Sequence, residues 1–260
     1  MIKFFRNIRK QLLGEGKTSK YFKYAVGEIQ LVVIGILIAL QINNWNENRK
    51  LESSKHKLLL ALKKELVNNK NAMDDYLLEM HKSNAKFNKV LLYSVGQYNI
   101  PTDSLKYYLS NMVYGRTLSL LNSVQEEAIN SGKFELLNDS LKQTLSQLKD
   151  YTNSRNYVQE QGIDMYYFKS DKQTDKLINS LYMSPVVPDE LSNHPLIPTH
   201  PDLILSNSEL SVLLKDADTY LTLNKIYLTH IADEVWVKHG LFRITNNTIE
   251  LIKKELNAYD

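Results

Sequence analysis

The chain has 260 residues, with 32 lysines and arginines, 29 aspartates and glutamates, and no cysteine. The absence of cysteine excludes disulfide bonds, thiolate metal ligands and cysteine nucleophiles. Seven basic residues against one acidic residue give residues 1–24 a charge of +6, whereas the whole chain carries +3, so residues 25–260 carry −3. The mild basicity therefore belongs to an N-terminal arm, which argues against a nucleic-acid-binding protein.

Residues 25–44 form a strongly apolar stretch, AVGEIQLVVIGILIALQINN, without a charge between Ile29 and Ile42. As a helix, about 20 residues span about 30 Å, which matches the hydrocarbon core of a bilayer. Glu28 and Trp45 flank the stretch at positions suited to the two membrane interfaces. The pattern predicts one transmembrane helix in contact with membrane lipid.

Charge on the two sides of this helix predicts its orientation. The arm holds seven basic residues, whereas residues 43–62 hold four. The positive-inside rule then places the N-terminus in the cytoplasm and the larger C-terminal part outside it. Because residues 41–46 are bulky and polar, with no small-x-small cleavage site, we interpret the segment as an uncleaved signal-anchor.

The stretch GEIQLVVIGILIALQINNWNENRK at residues 27–50, behind a basic arm ending EGKTSKYFKYAV, resembles the signature of an uncharacterised bacterial family. Residues 123–151, SVQEEAINSGKFELLNDSLKQTLSQLKDY, resemble the central helix-Gly-helix segment of the same family, a domain of unknown function. The resemblance implies a single N-terminal transmembrane helix in the bacterial inner membrane and an all-helical body. It implies no catalytic, cofactor-binding or metal-binding residue.

Beyond the anchor, a heptad-like stripe predicts a long stalk helix over about 46–95. Apolar residues recur every seven positions at Leu59, Leu66, Met73, Met80 and Phe87. Asn69 and Asn84 interrupt this stripe, and methionine packs loosely. We therefore expect the stripe to contact helices of the same chain rather than to form a self-sufficient coiled coil.

Pro101 marks a break after the stalk helix. Thr102 or Asp103 can cap a short helix that ends near Tyr114, before a glycine.

Two further helices follow. The first is predicted from Leu120 to Ser131, ending at Gly132 as a left-handed cap. The second begins with Asn138 or Ser140 as its cap and reaches toward Phe168.

Five of the six prolines lie in residues 185–201, PVVPDELSNHPLIPTHP, which excludes a helix or a central strand there. A connection of this length indicates a functional loop or a linker. His194 and His200 could form half of a metal or ligand site. The alternative is an extended crossover that packs Leu196 and Ile197 on the bundle.

Helical periodicity returns from Asn207, with Asn207 or Ser208 as the cap and an end near Gly240. A second stripe with a spacing of seven comprises Leu214, Leu221, Leu228, Val235 and Phe242. We expect this helix to pair with the stalk helix and to enclose the shorter central helices with it. Residues 245–247 are predicted to form a turn, and residues 249–256 a terminal helix.

Two pairs of polar residues are weak candidates for a chemical site. His230 and Glu234 lie four apart on one helix face, a spacing found in metal sites, but no second histidine completes a known motif. Glu126 and Glu127 are adjacent, so their carboxylates point about 100° apart and do not suit two acids acting on one bond. We predict no catalytic residue, cofactor or metal site.

The sequence thus predicts an all-α protein: a transmembrane helix, a stalk helix and an extracytoplasmic helical bundle. Its parts are a basic arm (1–24), the transmembrane helix (25–44), the stalk and central helices (45–184), the Pro-rich loop (185–201) and C-terminal helices on the same bundle (202–260). The leading functional hypothesis is a non-enzymatic interaction or scaffold protein of the cell envelope, with a protein partner or as a homo-oligomer. The alternative is a ligand-sensing bundle that acts through a separate transmembrane partner. A pocket lined by tyrosine and histidine would favour that alternative.

Overall fold

The structure is a computed structural model that describes residues 6–7, 10, 18–113, 117–167 and 205–259. These residues are helices and their connections, without a β-strand, as the sequence predicts. The chain divides into two compact units, Met1–Lys57 and Leu58–Asp260. The first helix, α1 (Thr18–Ser94), passes through both.

In the first unit, the apolar part of α1 is exposed on all sides. Its large apolar side chains between Ile29 and Ile42 are 48% to 63% exposed, so no protein core covers them. Within the described residues, this is one helix long and apolar enough to cross a membrane, and it lies near the N-terminus. It fits a single-pass membrane protein. Next to it, the Arg49 guanidinium lies 5.6 Å from the centre of the Trp45 ring.

The second unit contains the rest of α1 and the following elements. They are α2 (Thr102–Val113), α3 (Ser123–Asn130), a 3₁₀ turn (Lys133–Leu136), α4 (Asp139–Tyr167), α5 (Asn207–Lys215), α6 (Ala217–Trp236), a π-helical segment (Val237–Phe242) and α7 (Arg243–Leu256). The predicted end of the stalk helix and the extents of α2 and α4 agree with these bounds. The N-terminus of α4 is capped by Asn138, whose Oδ1 accepts the Leu141 N–H at 2.8 Å.

The predicted stripe on α1 is confirmed as the core-facing side of the helix. Leu59, Leu66, Met73, Met80 and Phe87 are all less than 7% exposed. They belong to two apolar clusters that lie one after the other along α1. The first cluster joins residues 58–80 of α1 to α3, α4, the π segment and α7.

The second cluster joins residues 87–93 of α1 to α2, α5 and α6. Its fully buried members include Phe87, Leu105, Leu109, Leu214 and Leu223. The Tyr93 hydroxyl also contacts the Ser211 Oγ at 2.7 Å, which fixes α5 against the end of α1.

Asn69, which interrupts the apolar stripe, forms hydrogen bonds with the backbone of a non-helical segment before α3. It donates to the Leu121 carbonyl at 2.7 Å and accepts the Leu121 N–H at 2.7 Å. Both backbone groups of Leu121 are thereby engaged outside a helix. The predicted start of α3 at Leu120 is therefore wrong, and the helix begins at Ser123.

Glu65 on α1 also contacts the start of α3. Its buried carboxylate accepts the Val124 N–H at 2.9 Å and the Ser123 hydroxyl at 3.0 Å. A carboxylate at a helix N-terminus satisfies a free N–H and is stabilised by the helix dipole. At the other end of α3, Gly132 has the expected left-handed conformation, with φ of 73°.

The predicted single helix from Asn207 to Gly240 is wrong, because Asp216 divides it. Asp216 has an extended backbone (φ −69°, ψ 139°) and its carboxylate caps α6 by accepting the Thr219 N–H at 3.0 Å. The cap of α5 is Ser206, which forms a reciprocal capping box with Glu209. Hydrogen bonds from Ser206 lower the pKa of Glu209.

Because of this break, the residues of the second stripe do not all lie on a core-facing side. Leu214 is buried, but Leu221, Leu228 and Val235 are 50%, 55% and 51% exposed. A heptad count continued across an extended residue no longer follows one helix face, since the second helix restarts with a new phase. Leu221, Leu228 and Val235 therefore do not face the apolar core, and α6 contacts the stalk helix through other residues, such as Tyr227 and Glu234.

The turn predicted at residues 245–247 is also wrong. Gly240 lies within the π segment instead of ending a helix, and α7 continues from it with Thr245 and Thr248 buried. A Cβ at Gly240 would lie 3.0 Å from the Tyr151 ring, so glycine permits this close approach of α4. The Pro-rich loop (185–201) lies outside the described residues.

Candidate functional site

A buried ion pair joins three helices in the second unit. Arg155 on α4 donates from Nε to Oδ1 of Asp233 at 2.8 Å and from Nη2 to Oδ2 at 3.0 Å. Tyr76 on α1 donates its hydroxyl to Oδ2 of the same carboxylate. Arg155 is 3% exposed, and its guanidinium lies 5.2 Å from the centre of the Tyr76 ring.

These contacts bind each group of the cluster to the other two. Burial and the neighbouring Asp233 raise the pKa of Tyr76 far above its usual range, so its hydroxyl stays protonated and donates. Arg155 Nη2 additionally donates to the Tyr76 oxygen at 3.2 Å. Because each group is bound to the others, the cluster suits a structural junction rather than an acid–base or nucleophilic site.

One residue further along α6, Glu234 forms a second polar contact with α1. Its Oε2 accepts from Asn84 Nδ2 at 2.7 Å, and its Oε1 lies 3.3 Å from Nδ1 of His81. Asn84 is 3% exposed, and its own Oδ1 has no hydrogen-bond partner among the described residues. A buried amide oxygen without a partner is uncommon and identifies this contact as a candidate binding position.

His230 packs between these contacts and the second apolar cluster. Its ring meets Phe87 edge-on, with ring centres 5.9 Å apart. Its Nδ1 is buried and has no hydrogen-bond partner in the part of the chain that the structure describes. Burial lowers the pKa of His230, and the charge of Asp233 opposes that shift.

The lowered pKa of His230 predicts that the second unit loses stability in mild acid. An unfolded histidine has a pKa near 6.5, so below that pH the unfolded chain binds a proton that the folded chain resists. Above about pH 6.5, His230 is neutral in both states and does not oppose folding. As the pH falls below that value, the unfolded state binds the proton more readily, and the free energy of unfolding decreases. Denaturant titrations at about pH 8 and about pH 5 should show a smaller pH dependence in His230→Gln than in the wild-type protein.

The matched control for this prediction is His81→Gln, because the His81 side chain is 77% exposed. Between the two pH values, the free energy of unfolding should change by about the same amount in His81→Gln as in the wild-type protein. In His230→Gln it should change less. An unchanged pH dependence in His230→Gln would contradict the assignment.

A cleft of about 330 Å³ opens between α1 and α6 beside Glu234. His81, Asn84 and Asn88 line it from α1, and Tyr227 and Glu234 line it from α6. Its remaining walls are Ala85, Ile231, Val235, Lys238 and His239. The cleft thus combines carboxylate, amide, imidazole and ammonium groups with a short apolar wall.

Beside this cleft, α6 presents an apolar stripe to solvent, and Val235 belongs to both. We use the term outward stripe for Leu221, Leu228 and Val235, which are about half exposed and seven residues apart. Lys225 and Lys238 flank the stripe. Since Leu223 on the core side is fully buried, α6 is apolar on two faces.

His230 and Glu234, which lie four positions apart in the sequence, have different partners in the structure. His230 turns to Phe87, whereas Glu234 turns to Asn84 and His81. The described residues include no group of three or more histidine, aspartate or glutamate side chains that could hold a metal ion.

The other candidates likewise do not form a site. Glu126 and Glu127 lie on an exposed helix face, where they contact Asn122 and Lys133. His194 and His200 lie outside the described residues.

The three-helix junction was missed at the sequence level, although one signal for it exists. Leu141, Leu145 and Leu148 define the buried face of α4, and the same spacing continues to Arg155. A charged residue in register with a buried stripe indicates a buried ion pair. Its partner could not be identified, because Asp233 is 78 residues away in sequence.

Comparison with curated proteins and with solved structures gives no match. A protein-family model described as a family of unknown function (DUF6090) matches residues 28–98. The match covers the apolar segment and the α1 stripe, where the sequence resemblance is strongest. Over residues 28–98 the chain therefore matches DUF6090, a family of unknown function.

Proposed function

We propose that this protein is a membrane-anchored, non-enzymatic component of the bacterial cell envelope that binds another protein through the outward stripe of α6. The single observation that carries the proposal is the exposure of Leu221, Leu228 and Val235 at heptad spacing. Apolar side chains at this spacing form the seam between two packed helices. A helix that is apolar on two faces gains stability when the second face is covered.

The charges beside the stripe indicate the chemistry of the partner. Lys225 and Lys238 place positive charge along its edges. Complementary charge favours association and selects partners. The partner would then be an amphipathic helix whose apolar seam is flanked by aspartate or glutamate.

The stripe can be tested by affinity purification of the full-length protein from detergent-solubilised membranes, followed by mass spectrometry. Leu221→Gln combined with Leu228→Gln should abolish capture of a partner that the wild-type protein retains. The matched control is Ile129→Gln combined with Val212→Gln, since these side chains are 44% and 73% exposed on other helices. The control should retain the partner.

Three results would count against this function. One is identical capture by the stripe variant and the wild-type protein, and another is a monomer without a partner under several conditions. The third is a fall in the unfolding midpoint of the stripe variant alone, which would mean that the chain itself covers the stripe. Capture of a second copy would identify the partner as this chain.

In the proposed topology, the transmembrane helix lies in the inner membrane. The N-terminus is in the cytoplasm, and the second unit is outside the cytoplasm. The bias of seven basic residues against four supports it. A reporter that is active only outside the cytoplasm, fused after Asp260, should be active. An expressed but silent fusion would reverse the topology.

Ligand sensing is a second candidate function, favoured by the cleft that Tyr227, His81 and His239 help to line. A helical bundle with such a site would pass its state to a separate transmembrane protein. The outward stripe provides a surface for that contact.

A further inference from the structure

We propose that the cleft between α1 and α6 binds a small zwitterion, namely an α-amino acid or a short peptide. This inference deepens the second candidate function, ligand sensing. The cleft shares Val235 and Lys238 with the outward stripe and its edge, but it does not use Leu221 or Leu228. Substitution of those two leucines therefore tests the stripe without changing the cleft, so the two proposals can fail separately.

The inner part of the cleft offers hydrogen-bond acceptors. The Glu234 side chain is 19% exposed and accepts from Asn84, while the buried Asn84 Oδ1 has no hydrogen-bond partner within the described ranges. A carboxylate can accept about four hydrogen bonds. A ligand ammonium, with three donors and a positive charge, complements an anionic group beside a free amide oxygen.

The rim of the cleft offers one ammonium group and two imidazoles. Lys238 and His239 line it and are both exposed, and the His81 imidazole lies on the α1 side. These groups complement a ligand carboxylate. A purely cationic amine would be repelled by Lys238, and a purely anionic ligand by Glu234, so the wall favours a molecule that carries both charges.

The size of the cleft sets the size of the molecule. A volume of about 330 Å³ lies near the lower end of the range for small-molecule sites. Ala85, Ile231 and Val235 supply an apolar surface between the charged groups for a small side chain. These features together suit a free amino acid or a dipeptide.

The first experiment measures thermal unfolding of the full-length protein in detergent micelles with each of the 20 standard amino acids and with alanyl-alanine. At least one probe should raise the midpoint. Calorimetry then compares that probe with its amide, which lacks the carboxylate, and with its deaminated acid, which lacks the ammonium. Each analogue should bind at least about tenfold more weakly, because one charge-assisted contact is lost.

Variants then assign the two charges. Glu234→Gln and Lys238→Met should each weaken binding of the probe by about tenfold or more. Lys238→Met should not weaken binding of the amide, because that analogue has no carboxylate for Lys238. Lys238 is exposed, so this variant remains informative if Glu234→Gln fails to fold.

The controls are Glu250→Gln and Lys253→Met, an exposed ion pair at 2.8 Å on α7, and both should bind like the wild-type protein. Leu221→Gln combined with Leu228→Gln should also retain binding, which separates this site from the outward stripe. The proposal is overturned if no probe raises the midpoint, if the analogues bind as well as the probe, or if Lys238→Met binds the probe unchanged.

Discussion

Replacing Arg155 with methionine should lower the free energy of unfolding of the second unit by about 3 to 5 kcal/mol. Arg155 is 3% exposed and makes two hydrogen bonds to Asp233, which is itself mostly buried. Without the guanidinium, Asp233 keeps its burial but loses its counter-charge, and that uncompensated charge is the source of the large effect. The Tyr76 hydroxyl alone cannot replace it.

Fluorescence of Trp236 can report this change in a urea titration, because the ring packs 5.5 Å from that of Tyr151 in the second unit. Trp45 is the other tryptophan of the chain and should be changed to phenylalanine in every sample. Lys142→Met is the control: its carboxylate partners Glu135 and Asp139 are exposed to solvent, so the loss of stability should be much smaller than in Arg155→Met.

A double substitution, Arg155→Met with Asp233→Leu, should recover much of the stability lost in Arg155→Met, because no charge is then left buried. If Arg155→Met behaves like Lys142→Met, the junction does not hold the three helices together. If the double variant is less stable than Arg155→Met, the loss comes from packing or from the Tyr76 hydroxyl, which then lacks its acceptor, rather than from the unpaired carboxylate.

Replacing Phe87 with alanine should lower the free energy of unfolding by about 3 to 5 kcal/mol through loss of buried area and formation of a cavity. Phe87 is fully buried in the second apolar cluster. Its ring packs edge-on against Tyr227 at 5.3 Å and against His230 at 5.9 Å, so both aromatic contacts with α6 disappear.

The same fluorescence titration tests this substitution. Leu78→Ala, an exposed position on α1, should change stability by no more than about 0.5 kcal/mol. Phe87→Leu keeps part of the buried volume and should fall between the two. A loss of less than about 1 kcal/mol in Phe87→Ala would show that the cluster collapses into the space or does not depend on this ring.

The part of the fold that the sequence predicted well is the part governed by one continuous helix. The heptad positions from Leu59 to Phe87 stay in register because nothing interrupts α1, and burial follows the count. The caps at Gly132 and Asn138 were also predictable, since they depend on local backbone chemistry.

The errors arose where a distant side chain or an extended residue changed a local pattern. Asn69 holds Leu121 from 52 positions away, so the start of α3 could not be read from its own neighbourhood. Asp216 could be recognised as a cap, but the leucine spacing on either side of it favoured one uninterrupted helix.

The candidate sites were harder to predict than the helices, because they depend on tertiary contacts. Glu234 and His230 were selected for their spacing on one helix, whereas their environments are set by Asn84, His81 and Phe87 on α1. Contacts between side chains about 150 positions apart in the sequence cannot be recognised from a single sequence.

The two apolar clusters along α1 also have a consequence for cooperativity. Between Met80 and Phe87, the contact of α1 with α6 passes through the polar side chains of His81 and Asn84 instead of a continuous apolar seam. Local opening follows the regions with the fewest buried apolar contacts. The two ends of the second unit are thus suited to open in separate steps, and a ligand held between α1 and α6 would make them open together.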